Sequence, residues 1–200
     1  MFKKKPFIVF EGIECSGKSF HSRNLVKEFK SKKIPFIYLR EPGGTVTAEF
    51  IRKLILNKKR DKLDSLTDTL LYLAARNENF IKNIKSNYGK KIIVCDRFTD
   101  STLAYQHYGF GINKDLIVNI NKMILNNIRP DLTFLMIVDL KNSLLRLSKR
   151  KNLNRYDKFK GLFYKKVQKG FLKIAKKNKK KYMIIDSNNS ISDNKKIIFN

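Results

Sequence analysis

Cysteine and histidine are scarce, with two of each in 200 residues. Cys15 and Cys95 cannot build a disulfide framework, and so few ligating residues offer no metal cluster. Unpaired cysteines suit a reducing compartment. Long hydrophobic runs are also missing. The longest, Leu132 to Val138, is interrupted by Thr133 and is far too short to cross a bilayer. Lys3, Lys4 and Lys5 precede only Phe7–Phe10 before Glu11 ends the run, which excludes a signal-peptide core. The expectation is a cytoplasmic protein without a membrane partner. No Pro/Gly/Ser-rich linker divides the chain, so one domain over 1–200 is expected.

Acidic residues are the other shortage. There are 17 Asp and Glu against 44 Lys and Arg, a net charge of +27. Residues 141–200 hold 19 basic and 3 acidic side chains. Two readings stay open. One is a phosphate-bearing partner. The other is codon bias: 34 of the basic residues are Lys, and Lys, Asn (19) and Ile (22) share A/T-rich codons. No nucleic-acid-binding motif is present. The aromatics of the basic segment, Phe159, Phe163, Tyr164 and Phe171, have the helical spacing of core residues. No specific nucleic-acid partner is expected.

What is present is an alternation of short apolar strands and longer helical patterns. Phe7–Phe10, Ile37–Leu39, Ile92–Cys95, Leu132–Val138 and Tyr182–Ile185 are continuously apolar or nearly so. Such runs fit strands buried on both faces of a parallel sheet. Helical segments are expected at about 18–32, 46–58, 64–87, 113–127, 141–150 and 157–179. Leu66, Leu70, Leu73, Asn77 and Phe80 form a mostly apolar stripe, with the leucines expected in the core. The alternation implies an α/β, doubly wound sheet, whose ligands sit at the carboxyl ends of the strands.

The first strand end carries a motif. Gly12-Ile13-Glu14-Cys15-Ser16-Gly17-Lys18-Ser19 matches G-x-x-x-x-G-K-[ST], between a strand and a helix. Its glycines let backbone N–H groups converge on phosphate oxygens. Lys18 reaches the β- and γ-phosphates, and the Ser19 hydroxyl can ligate Mg²⁺. These eight residues are the expected ATP site. Asp96 ends the third strand and is the second expected Mg²⁺ ligand. Arg97 follows it and suits a second phosphate.

Taken together, Phe10-Glu11-Gly12 with its P-loop, Arg40-Glu41-Pro42-Gly43-Gly44-Thr45, Ile51-Arg52-Lys53, Leu71-Tyr72-Leu73-Ala74-Ala75-Arg76, Asp96-Arg97 through Tyr105-Gln106, and Arg129-Pro130-Asp131-Leu132-Thr133 resemble the bacterial thymidylate kinases. The similarity is clearest over Phe7–Arg155. It implies a P-loop NTPase fold with a five-stranded parallel sheet, helices on both faces and a short lid. It also implies transfer of a phosphoryl group from ATP to dTMP, and a homodimer formed through helices of the 64–127 region. By this resemblance Glu14 meets the 3′-hydroxyl of dTMP. Arg97, with Arg40 and Arg52, clamps its phosphate. Tyr72 stacks on thymine where the family usually has Phe, and Arg76 reaches the base edge. Ser101, Thr102 and Gln106 are further base contacts, and Tyr105 lies against the deoxyribose.

The expected mechanism holds two nucleotides head to head and neutralises the transferring group with Lys18, Mg²⁺ and Arg97. The lid is expected at 149–158. Glu14, Cys15 and Ser16 supply no guanidinium inside the P-loop. Arg155, in a stretch resembling the family's lid signature, is therefore the expected third catalytic residue, with Arg150 second. Two rival readings are a kinase for another nucleoside monophosphate and a basic P-loop protein that binds nucleic acid.

Overall fold

The computed structural model describes residues 4–57, 63–151, 153–159 and 161–199. Lys58, expected at the end of a helix, and Asn152, within the expected lid, lie outside them. Five strands form one parallel sheet: β1 (Phe7–Gly12), β2 (Phe36–Arg40), β3 (Ile92–Asp96), β4 (Leu132–Ile137) and β5 (Tyr182–Asp186), in the order β2-β3-β1-β4-β5. The helices in chain order are α1 (Lys18–Ser31), α2 (Val46–Leu56), α3 (Ser65–Asn79), α4 (Lys85–Asn87), α5 (Thr99–Thr102), α6 (Lys114–Leu125), α7 (Leu140–Ser148), α8 (Gly161–Lys177) and α9 (Ile191–Phe199).

The continuous apolarity of the strands has its cause in two covered faces. Phe10, Val94, Phe134, Met136 and Ile185 pack on one face with Leu25 of α1 and Ile198 of α9. On the other face, Phe7, Val9, Ile93 and Cys95 meet Phe80, Ile84, Phe98 and Leu125. Leu135 joins Tyr105, Tyr164, Val167 and Phe171 there. β1 lies between β3 and β4, with Phe10 in register with both Asp96 and Phe134. The connection from β1 runs to β2 and the one from β3 runs the opposite way to β4, so a crevice opens at the carboxyl ends of these two neighbouring strands.

Three features depart from the sequence reading. Residues 99–109 are helical: α5 runs into a π-helical stretch, Leu103–Gly109. Its sequence lacks an apolar stripe, and its packing comes from α8. A Cβ at Gly170 would fall 2.6 Å from Tyr108 Cδ2, so only glycine allows that approach. α9 is also additional. The third concerns the stripe on α3. Leu73 and Phe80 are buried, but Leu66 and Leu70 are 43% and 47% exposed. The inward face of α3 is instead Asp68, Thr69, Leu73, Ala75, Arg76 and Asn79, which turns polar groups toward the crevice.

Candidate active site

The P-loop turns directly off β1. Gly12 (φ 143°) admits no side chain, because a Cβ would overlap Met136 O. Gly17 (φ 89°) and Cys15 (φ 56°) also take left-handed backbone. Three distant side chains hold the loop's carbonyls. Ser143 Oγ donates to Glu14 O (2.9 Å), Arg146 Nη1 to Cys15 O (3.2 Å) and Ser187 Oγ to Ser16 O (2.7 Å). The N–H groups of Glu14, Cys15, Gly17 and Lys18 have no protein acceptor among the described residues. With carbonyls tied back and N–H groups left over at a helix start, the loop is a built anion site. Lys18 Nζ donates to Ile13 O (2.7 Å). Burial, helped by Arg97, lowers the Lys18 ammonium to about 8.

Ser19 Oγ donates to Asp96 Oδ2 at the junction of P-loop and β3. A hydroxyl and a carboxylate are hard oxygen donors of the kind Mg²⁺ takes. Among the described residues no cluster of three His, Cys, Asp or Glu could hold a metal.

A cavity of about 410 Å³ continues from the P-loop, bordered by Glu14, Lys18, Arg40, Arg52, Arg97 and Tyr105 among others. Arg97 has left-handed backbone (φ 72°). Its Nη1 donates to Gly12 O (2.9 Å) and Ser101 Oγ (3.0 Å), and its Nη2 to Glu14 Oε1 (2.9 Å). Its guanidinium lies 5.1 Å from the Tyr105 ring, and Tyr105 donates its hydroxyl to Glu14 Oε2. Burial would raise the Glu14 carboxyl, but Arg97 and Lys18 overcome it and hold Glu14 below its usual range. Arg40 Nη2 spans both Glu49 oxygens (3.0 and 3.1 Å). Arg52 donates to Pro42 O (2.8 Å), and burial, with Arg40 nearby, lowers it to about 10. These three of the guanidiniums that border the cavity attract a phosphate.

The cavity is also bordered by Tyr72, Arg76, Thr102 and Gln106. Arg76 reaches it from a buried harness: Nε donates to Glu41 (2.8 Å), Nη1 to Asn121 (2.9 Å) and Nη2 to Phe98 O (3.0 Å). Thr102 Oγ1 is buried with no partner among the described residues. Ser101 borders the cavity, but its hydroxyl is committed to Glu11 Oε2 (2.6 Å).

The lid differs from expectation in which arginine faces inward. Arg155 is not among the residues bordering the cavity. Its Nη2 donates to Asp68 Oδ1 at 2.6 Å, and its guanidinium lies 5.0 Å from the Tyr156 ring. A buried carboxylate on α3 draws that charge away. Arg150 and Arg146 do border the cavity, beside Cys15 and Lys18. Arg150 also pairs with Asp157 (3.2 Å).

Sequence reasoning missed the supports. Glu11 is fully buried and accepts from Phe98 N (2.8 Å), Ser101 N (3.1 Å) and Ser101 Oγ. It thereby shapes the turn that carries Arg97. A carboxylate inside an otherwise apolar strand was its visible signal. Glu41, under Arg76, left none beyond its motif. Asp68 stands four residues before Tyr72 and eight before Arg76, a spacing that shares one helix face.

A strand, a phosphate-binding loop and a helix at the switch point of this sheet define a P-loop nucleotide-binding protein. Comparison with known proteins narrows the class. The thymidylate kinase family model matches residues 10–198. The chain is 44% identical to thymidylate kinase of Ehrlichia canis over 191 residues, covering 94% of this chain and 91% of that protein. It is 35% identical to the thymidylate kinase of Ligilactobacillus salivarius over 189 residues, 92% of this chain and 91% of that protein. The crystal structure of thymidylate kinase from Ehrlichia chaffeensis superposes with a TM-score of 0.78 at 36% identity, over 98% and 97% of the two chains. The chain belongs to the thymidylate kinase family.

Proposed function

We propose that this protein transfers the γ-phosphoryl group of ATP to dTMP, giving ADP and dTDP. The observation that carries the reading is one cavity bordered by the phosphate-binding loop, by Arg40, Arg52 and Arg97, and by Tyr72, Arg76, Thr102 and Gln106. ATP phosphates lie on the P-loop N–H groups and Lys18. The dTMP phosphate sits against Arg97, Arg40 and Arg52, with Glu14 and Tyr105 at its sugar and Tyr72, Arg76, Thr102 and Gln106 around its base. Ser19 and Asp96 would hold Mg²⁺, which when bound neutralises the charge on phosphate oxygens. The acceptor phosphate is already ionised, so catalysis is positioning and charge neutralisation rather than proton transfer. Arg150, rather than Arg155, supplies the lid charge to the transferring group, since Arg150 borders the cavity and Arg155 is paired with Asp68.

The same reading makes the chain a single-domain, cytoplasmic homodimer. Leu66, Leu70, Ile81 and Met123, exposed on helices of the 64–127 region, support that contact. No helix among the described residues is long and apolar enough to cross a membrane.

Purified protein with ATP and Mg²⁺, assayed against a panel of nucleoside monophosphates, tests the reading. dTMP is the expected best acceptor, followed by dUMP. One methyl group in a pocket is worth about 1–3 kcal/mol, so that preference is modest. Faster phosphorylation of CMP or GMP than of dTMP would overturn the proposal.

A further inference from the structure

We infer that Asp68 sets which pyrimidine base the cavity accepts, by fixing which end of the Gln106 amide faces it. The inference rests on the reading of the cavity as a pyrimidine monophosphate site. Asp68 is a positioning residue here: it acts through Gln106.

Asp68 is 2% exposed and lies on the inward face of α3. Its Oδ1 accepts from Arg155 Nη2 (2.6 Å), and its Oδ2 from the Tyr156 hydroxyl (2.8 Å) and Gln106 Nε2 (3.5 Å). A carboxylate paired with a guanidinium only accepts, so the Gln106 group facing it has to be the NH₂. Tyr156 reinforces this. Its own hydrogen is spent on Asp68, and its oxygen then accepts from Gln106 Nε2 (3.3 Å). Both contacts of the amide nitrogen are therefore on the protein side. Gln106 Oε1 has no protein partner in the hydrogen bonds of the described residues, and Gln106 borders the cavity. The carbonyl end is the one left for a ligand.

The cavity thus offers a fixed acceptor from Gln106, and the fixed cation of Arg76 borders the same cavity. A 4-oxo pyrimidine complements the pair: its N3–H donates to the amide oxygen and its O4 accepts from the guanidinium. A 4-amino pyrimidine reverses both polarities, setting its N3 lone pair against Oε1 and its amino group against Arg76. The methyl group at C5 plays no part in this discrimination, so thymine and uracil fall on the same side of it.

The test measures kcat/KM for dTMP, dUMP and dCMP, with KM for ATP, on the full chain and on Asp68→Asn, Asp68→Glu and Tyr156→Phe. An amide at position 68 can donate to Gln106 and frees it to turn its NH₂ into the cavity. Asp68→Asn is expected to lower kcat/KM for dTMP and dUMP by a common factor of about 10 or more, while dCMP holds or rises and KM for ATP stays put. Asp68→Glu, which restores a carboxylate, is expected to recover most of the parent dTMP:dCMP ratio. Should Asp68→Asn fail to fold, Tyr156→Phe carries the test. It keeps the carboxylate but removes the second anchor, and it is expected to lower the same ratio several-fold. A parallel fall for all three substrates, or an unchanged ratio in every folded variant, means that Asp68 is merely structural and overturns the inference. Failure of the parent reading looks different: the unmodified protein would turn over neither dTMP nor dUMP.

Discussion

Glu41→Ala tests whether Arg76, at the edge of the cavity, is held by a buried ion pair. Arg76 Nε meets Glu41 Oε2 at 2.8 Å, with the side chains 2% and 4% exposed. Asn79 Nδ2 donates to the other Glu41 oxygen at 3.1 Å. Truncating Glu41 leaves a guanidinium charge buried without its counter-ion, which costs about 3–5 kcal/mol. Unfolding entropy near the melting temperature is about 2.1 cal/mol/K per residue, or roughly 0.42 kcal/mol/K for 200 residues. The melting temperature should therefore fall by roughly 7–12 °C. Calorimetry or circular dichroism is the assay, since the chain has no tryptophan. Arg76→Met in the Glu41→Ala background removes the orphaned charge and should recover part of the loss, because an apolar replacement of a whole buried pair is far less costly than half of it. A fall of under about 3 °C, with no recovery in the double variant, would mean that water reaches Arg76 and that Glu41 does not hold it.

Three further outcomes are expected. Arg97→Ala should lower kcat/KM for dTMP by an amount worth about 2–5 kcal/mol. Equilibrium binding of ATP should change little, and an unaltered dTMP dependence would remove Arg97 from the phosphate clamp. Arg150→Ala should lower kcat on the order of 10³-fold with little change in KM for dTMP. Arg155→Ala should act mainly on stability, and the opposite pattern would return the catalytic role to Arg155. Burial and Arg97 depress the Lys18 ammonium to about 8 in the free protein, whereas bound triphosphate favours its charged form. ATP affinity should hold below about pH 7 and fall up to about tenfold per unit above about pH 8, as unbound Lys18 loses its proton. Calorimetric titrations in buffers of different ionisation enthalpy should then show proton uptake on ATP binding near pH 9 and almost none near pH 6.5. Equal uptake at both pH values would contradict the depressed Lys18.

Much of the site was readable where function depends on contiguous residues. Gly12 to Ser19 need only each other, a strand before and a helix after to form an anion-binding loop, and all of that is local. Asp96 was legible as the acid ending an apolar strand, and parallel pairing of β1 with β3 then carries it to Ser19. Tyr72 and Arg76 were legible as one helix face bordering the cavity. The helical stretch at 99–109 was not, because its support comes from the close approach of α8 at Gly170.

The sequence by itself determined the class of fold, the phosphate-binding loop and the family, because each is written in short spacings and in runs of like character. Only the tertiary structure decided the placement of each side chain within a run of similar residues. Arg150 and Arg155 stand five apart in one basic segment, and there resemblance to the family's lid signature ranks Arg155 ahead of Arg150. Their separation comes from Asp68, 87 residues from Arg155, whose buried carboxylate draws one guanidinium and leaves the other beside the P-loop. Periodicity alone puts Leu66 and Leu70 in the core, yet the polar face of α3 takes the inside. Arg76 and Glu41, 35 residues apart, share the same logic. Buried charge is tolerated only beside a counter-charge, and which counter-charge is near is a property of the folded chain.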